Sequence, residues 1–225
     1  YQHYGMGIDI NFINEISNPV NKDIFNARAL NLNDIWRNHG GRKGWDNYRM
    51  AENENKLLDY IDLGFFRREN ILLQDIKEIV LIAEQLARYV DDHEVHEKIH
   101  KSNQHGSSSK KVQDILIEYC EKLGFESEKN GLFKYHNLRP DYYKKLNTGG
   151  ILFEVERGKT LTNNMDLYDL WKCHICKEAN HLFLFVPKNV SHTKNIYEST
   201  FRRFSSFFRE EKNHINIDTV FLFGY

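Results

Sequence analysis

A chain of 225 residues is long enough to bury a substantial core, as one large domain or two small ones. With 28% charged and 40% hydrophobic residues, 15 Phe, 12 Tyr and a formal net charge of −1, it is not a disordered polyelectrolyte but a globular chain with an aromatic interior. No apolar run approaches the roughly 20 residues that span a bilayer and no basic-then-apolar leader precedes Tyr1, so a cytoplasmic protein without a membrane partner is expected. Along the chain, the first 44 residues are rich in Asn, Gly and aromatics and predict little beyond a short helix near Asp34 to Asn38. Trp45 to Leu63 reads as a helix stopped by Gly64. A longer helix is expected from about Glu69 toward His100, with Ile76, Ile79, Val80, Ala83, Leu86, Ala87 and Val90 on one face. Ser102 to Ser109 (SNQHGSSS) interrupts this helical sequence with Gly and Ser and marks a linker. The expected division is a mainly helical domain over 1–101, a linker over 102–109 and a second domain over 110–225.

Beyond the linker, helices alternate with strands. Ser109 can cap a helix whose apolar stripe is Val112, Ile115, Leu116, Tyr119, Cys120 and Leu123, ended by Gly124. Phe125 to Lys129 and Leu132 to His136 flank Asn130-Gly131, a pair suited to a type I′ hairpin. A third segment starts at Pro140, and the strand Ile151 to Glu156 follows Asn147-Thr148-Gly149-Gly150. Asn163 or Asn164 can open a helix with Leu167, Leu170, Trp171, His174 and Ile175 in register. His181 to Val186 is almost wholly apolar and so is expected to be central. A helix from about His192 to Arg209 and a strand from Thr219 to Phe223 close an α/β order. Charge follows the same division: residues 1–105 hold 13 Lys and Arg against 17 Asp and Glu, residues 106–225 hold 18 against 15, a mild lean of the second half toward a polyanion. Three cysteines, Cys120, Cys173 and Cys176, suit a reducing compartment.

The chemistry concentrates in Arg139-Pro140-Asp141 and Phe153-Glu154-Val155-Glu156-Arg157-Gly158-Lys159. Residues two apart on a strand share a side, so Glu154 and Glu156 face one way and Val155 the other. A return through Gly149-Gly150 brings Asp141 to them. Three converging carboxylates suit a hard cation such as Mg²⁺; the bland reading is a turn after proline and a solvated acidic face. Arg139, Lys144, Lys145 and Arg157, interleaved with Tyr142 and Tyr143, suit a phosphodiester backbone or simply a solvated loop, and Lys172 on the next helix can face the same cleft. In the front half, Trp36 to Trp45 sets Arg37, Arg42 and Lys43 among glycines and aromatics, as a loop approaching a nucleic-acid groove or as a basic glycine turn. His96-Glu97-Lys98-Ile99-His100 matches the literal zinc-protease pattern, but Lys98 stands where a buried active-site helix wants an apolar residue, so a helix end is the better reading. Cys173-His174-Ile175-Cys176 lacks a second pair and reads as core packing.

On the Pro-Asp and Glu-x-Glu segments, and on the order of elements around them, residues 107 to 187 resemble the PD-(D/E)XK nuclease superfamily, the restriction-endonuclease-like fold. That resemblance implies an αβββαβ core, a mixed central sheet flanked by helices, behind a helical N-terminal domain. It implies Asp141 and Glu154 as ligands of Mg²⁺ or Mn²⁺, and Asp141, Glu154, Glu156 and Lys159 as the catalytic set. Glu156 stands where the family usually has lysine, as in some restriction endonucleases with Glu-x-Glu, and Lys159 is placed to supply the missing charge. The acid often present on the preceding helix corresponds to Gln113, beside Asp114. The implied activity is Mg²⁺-dependent cleavage of double-stranded DNA, of the type II restriction kind, with a homodimer among the assemblies open to it. The alternative is a non-catalytic nucleic-acid-binding protein on the same fold.

Overall fold

The computed structural model describes residues 36–38, 45–50, 58–68, 73–103, 107–127, 133, 138–157, 160–191, 194–209 and 214–225. Its strands are β1 (Trp36–Asn38), β2 (Trp45–Met50), β3 (Asp62–Arg68), β4 (Glu126–Ser127), β5 (Tyr142–Leu146), β6 (Gly149–Val155), β7 (His181–Val186), β8 (Asn189–Ser191), β9 (Lys194–Asn195) and β10 (Thr219–Gly224). The helices are α1 (Leu73–Asp91), α2 (His93–Ser102), α3 (Lys110–Lys122), α4 (Met165–Ile175) and α5 (Ile196–Arg209). Among the described residues, eight strands form one sheet in the order β1-β2-β3-β10-β7-β6-β5-β4, and β8 and β9 form a separate small ribbon. The central strands β6, β7 and β10 run parallel, and the flanking pairs are antiparallel, so the protein is α/β with a mixed sheet.

Period-two alternation divides the core between the two faces of this sheet. Ile151, Phe153 and Val155 of β6 join Phe183, Phe185, Phe221 and Phe223 against α1, α2 and α3. Leu152, Leu182, Leu184, Val220 and Leu222 point the other way, against Leu170 and Cys173 of α4 and Phe201, Phe204 and Phe208 of α5. Both faces are covered, which is why β7 and β10 are apolar at nearly every position rather than alternating. α4 connects the parallel pair β6 and β7, as a crossover must.

Several expected elements stand where the periodicity puts them. The seven apolar residues assigned to the face of α1 are all buried, and Val112, Leu116 and Cys120 bury the stripe of α3. Gly124 ends α3 at φ +82°, a left-handed conformation that glycine adopts without strain. The long helix expected toward His100 is two helices, because Asp92 caps a new one: its carboxylate accepts from the Glu94 and Val95 amides at 3.0 and 3.2 Å.

The front half departs from expectation. Trp45 to Leu63 does not form a helix: β2 covers its start and β3 its end, while 51–57 lie outside the described residues. Gly64 stops nothing, sitting inside β3 opposite Leu222, where a Cβ would come within 2.8 Å of the Phe201 ring. Trp36–Asn38 is a strand, not part of a helix. In the described part of 1–101 strands stand beside the helices, and β3 pairs with β10, so the sheet runs across the boundary expected at 102–109. The Asn130-Gly131 turn lies outside the described residues.

Candidate functional site

The acids meet at the C-terminal end of β6, the end of a parallel strand where open α/β sheets offer a crevice. The β5–β6 register pairs Tyr142 with Phe153, so the next step along both strands sets Asp141 beside Glu154. Asp141 is fastened there: its Oδ2 accepts from the Val155 amide at 2.7 Å, and its own amide donates to Glu154 Oε2 at 3.4 Å. Glu156 continues the same side of the chain just beyond the strand. Its amide donates to the Phe185 carbonyl at 2.8 Å, and its carbonyl accepts from the Tyr225 hydroxyl at 2.8 Å.

Crossing from β6 to β7, α4 lays two charged residues over these acids. Asp169 and Lys172, three apart on one helical face, are 1% and 9% exposed, and Glu154 beneath them is 3% exposed. Lys172 Nζ lies 2.7 Å from Glu154 Oε1 and 3.2 Å from Asp169 Oδ1. The carboxyls of Glu156 and Asp169 lie close enough for each to perturb the other's proton affinity. Neither oxygen of Asp169 accepts a hydrogen bond from another donor, the Lys172 contact being an ion pair outside hydrogen-bond geometry.

Two of these carboxyls pair with one ammonium, and the proton affinities of Glu154, Glu156, Asp169 and Lys172 reflect the crowding of buried charge. Burial, then the charge of Asp169, pushes Glu154 well above the ordinary carboxylate range, against the pull of Lys172. Burial followed by Asp169 raises Glu156 to about 8. Burial raises Asp169 to about 6, Lys172 opposing it. For Lys172 burial works downward, but Glu154 and Asp169 outweigh it and hold the ammonium above its usual range. The cluster therefore carries protons near neutral pH and has excess acid for a further cation.

Compared with protein-family models, with curated proteins and with solved structures, the chain matches none.

Of the expected site residues, Asp141, Glu154 and Glu156 are brought together. Lys159, Arg42 and Lys43 lie outside the described residues, as does the side chain of Arg37 on β1. Lys172, expected to contact nucleic acid, is buried in ion pairs with the acids. Arg157 Nε donates to Asn103 Oδ1 at 3.0 Å, toward the end of α2. Arg139 is exposed two residues before Asp141; Lys145 is exposed on β5, and Lys144 reaches Gly124 at the end of α3. Gln113 and Asp114 belong to α3, whose buried face packs on the other side of the sheet from Lys172. There the Gln113 carbonyl accepts from the Tyr142 hydroxyl at 2.5 Å. His96 stacks on Tyr60 with ring centroids 4.7 Å apart, and Cys173 and Cys176 are buried, free thiols of the core.

Asp169 went unassigned from sequence, and the cause is the rotation of α4. Its inward face is Asp166, Asp169, Leu170, Lys172 and Cys173, while Tyr168, Trp171 and Ile175 are 57%, 60% and 58% exposed. The available signal was the spacing Asp166-x-x-Asp169-x-x-Lys172, three ionisable residues at helical intervals.

Metal chemistry fits the donor set without being built in. Among the described residues no three His, Cys, Asp or Glu side chains form a group arranged to hold a metal ion, since Lys172 stands between Glu154 and Asp169. The oxygen-only donors, their excess charge and the unserved oxygens of Asp169 nonetheless suit a hard divalent cation.

Proposed function

We propose that this protein is a metal-dependent nuclease of the PD-(D/E)XK kind that cleaves DNA phosphodiester bonds. The observation that carries the reading is the meeting of Asp141 and Glu154, from adjacent antiparallel strands, with the Lys172 ammonium 2.7 Å from Glu154. Two acids and a lysine beside the end of a central strand can serve in-line attack on a phosphodiester. The acids would hold a cation, and the lysine would offer positive charge where it develops on the phosphoryl oxygens.

Asp141 and Glu154 would hold Mg²⁺ or Mn²⁺, which when bound supplies charge to the phosphoryl oxygens and a more acidic water. The chain's own residues do the rest. Lys172 comes from α4 rather than from the position two after Glu154, where Glu156 stands; it replaces Lys159 in the catalytic set proposed here. Its pairing with Glu154 and Asp169 keeps it protonated and oriented. Asp169, raised by burial to about 6, is largely ionised at neutral pH and can accept a proton from the attacking water, whereas Glu156, raised to about 8, keeps its own. Arg139 and Lys145, both exposed, supply sequence-independent attraction for the DNA backbone.

One observation favours a non-catalytic nucleic-acid-binding protein instead: the ion pairs of Lys172 already satisfy part of the acid cluster. Supercoiled plasmid incubated with and without Mg²⁺ separates the two readings. Nicking or linearisation that needs the cation and disappears in Asp141→Ala supports the nuclease; binding without cleavage at any divalent cation supports the alternative.

A further inference from the structure

Beside the acids lies an apolar groove of about 290 Å³, lined by Leu138, Tyr168, Trp171, Lys172 and Ile175. Its two walls are the segments that carry the site. Leu138 is three residues before Asp141, Trp171 adjoins Lys172, and Lys172 itself lines the groove, so groove and acids are neighbours across one side chain. Tyr168, Trp171 and Ile175, at positions i, i+3 and i+7 of α4, form a stripe along the helix, and each is more than half exposed. The Lys172 ammonium ties the two compartments together, lying 5.4 Å from the Tyr168 ring centroid and 2.7 Å from Glu154.

We propose that this groove receives one unpaired nucleobase next to the scissile phosphate, so that the preferred substrate is DNA with an unpaired nucleotide at the cut. The proposal rests on the nuclease reading and narrows its substrate. A groove of about 290 Å³ stands at the small end of ligand pockets, roughly 300–1,000 Å³, and fits a planar ring rather than a duplex. Exposed aromatic faces beside a backbone-binding site are how proteins hold unstacked bases, because every base presents a π-face. Arg139, exposed and next to Leu138 in the chain, offers a cation for an adjoining phosphate. A fully paired strand keeps its bases inside the stack and gives the groove nothing to bind; a bulged or single-stranded nucleotide does not pay that unstacking cost.

The test uses the full chain and two probes of one sequence, a fully paired duplex and the same duplex with two unpaired thymines. Binding is read in Ca²⁺ and cleavage in Mg²⁺. The unpaired probe should bind at least about tenfold tighter than the duplex, and the double variant Tyr168→Ala, Trp171→Ala should lose that preference while retaining duplex affinity. Quenching of tryptophan fluorescence by the unpaired probe should disappear in Trp171→Phe, which keeps a ring and the fold. Equal affinity for both probes, or a preference that survives in the double variant, overturns the proposal and leaves the nuclease reading standing. Wild-type sedimentation as a dimer that becomes a monomer in the double variant also overturns it, by assigning the groove to a second copy. Failure of the wild type to cleave any DNA in Mg²⁺ overturns the nuclease reading itself, and the proposal with it.

Discussion

At Lys172 two demands would meet under the proposed nuclease reading, since the ammonium that pairs with Glu154 and Asp169 inside the fold would also be the cation offered to a phosphate. A buried cation with two carboxylate partners is costly to remove, because each partner then keeps its charge out of water or must bind a proton. Lys172→Met should abolish cleavage and lower stability, by less than the roughly 3–5 kcal/mol typical of a broken buried pair, because Glu154 can take up a proton. Lys159→Ala should cleave at near wild-type rate. Single-turnover cleavage measures both, and the reverse pattern would return the catalytic lysine to Lys159. The acids make a separate prediction through pH. A carboxyl whose proton affinity is raised by folding keeps its proton in the native state after the unfolded chain has released it, so stability falls as pH rises through that window. For Glu156 the window runs from about 4.5 to about 8. His181, buried and lowered to about 3 by loss of solvent, acts in the opposite sense, but its contribution is complete above roughly pH 6.5. Glu84, raised by burial to about 7, shares the direction of Glu156. Melting temperature should therefore drop between pH 6.5 and 8, and Glu156→Gln should flatten the drop, by an amount on the order of a few kcal/mol at most. Parallel curves for variant and wild type would remove the proton from Glu156. Ca²⁺ or Mg²⁺ should raise the wild-type melting temperature more at pH 8 than at pH 5, since the cation competes with protons for the same oxygens.

Helix α4 shows at the scale of an element how far periodicity carries and where it stops. In α1 the apolar stripe lies wholly within the buried face, because the sheet beneath offers it mainly aromatic and aliphatic side chains, although Glu84 and Gln85 are buried beside it. In α4 the surface beneath includes Glu154 and is approached by Arg203, which donates to Asp166 Oδ1 at 2.8 Å. Those partners lie far away in sequence, so a local pattern cannot register that Asp166, Asp169 and Lys172 have somewhere to go. The same limit hid β3, whose partner on one side is β10, more than 150 residues later. Asp141, Glu154 and Glu156 were legible because strand parity and a two-residue turn are local; Asp169 and the pairing of Lys172 were not. The rotated register of α4 is testable by truncation. Leu170→Ala, at a position 3% exposed, should cost about 2–5 kcal/mol, whereas Ile175→Ala, 58% exposed, should stay within about 0.5 kcal/mol. Denaturant midpoints at constant slope would measure both, and comparable losses would place Ile175 inside.

For the whole molecule, the decisive strand is β10, which pairs in parallel with β7 on one side and antiparallel with β3 on the other. Its residues Val220, Phe221, Leu222 and Phe223 are all fully buried, alternating between the two layers of the core. A division of the chain at 102–109 would cut between α2 and α3 but would also strip β3 from β10, and with it Phe65 and Phe66 from the two layers they help fill. α1 and α2 would go as well, leaving Phe183, Phe185, Phe221 and Phe223 without the helical cover over that part of the sheet. What remained would expose an unprotected edge of Val, Phe and Leu backbone beside a bare aromatic face, the arrangement that templates strand addition from other copies. Residues 110–225 expressed alone should therefore aggregate or show no cooperative unfolding. The complete chain should unfold in one transition, with tryptophan fluorescence and far-ultraviolet circular dichroism coincident, because α1, α3 and the central strands share one core. Two separated transitions in the complete chain, or a soluble and cooperatively folded 110–225 fragment, would show instead that the sheet tolerates loss of β1 to β3 and that the acid site stands on a self-sufficient unit.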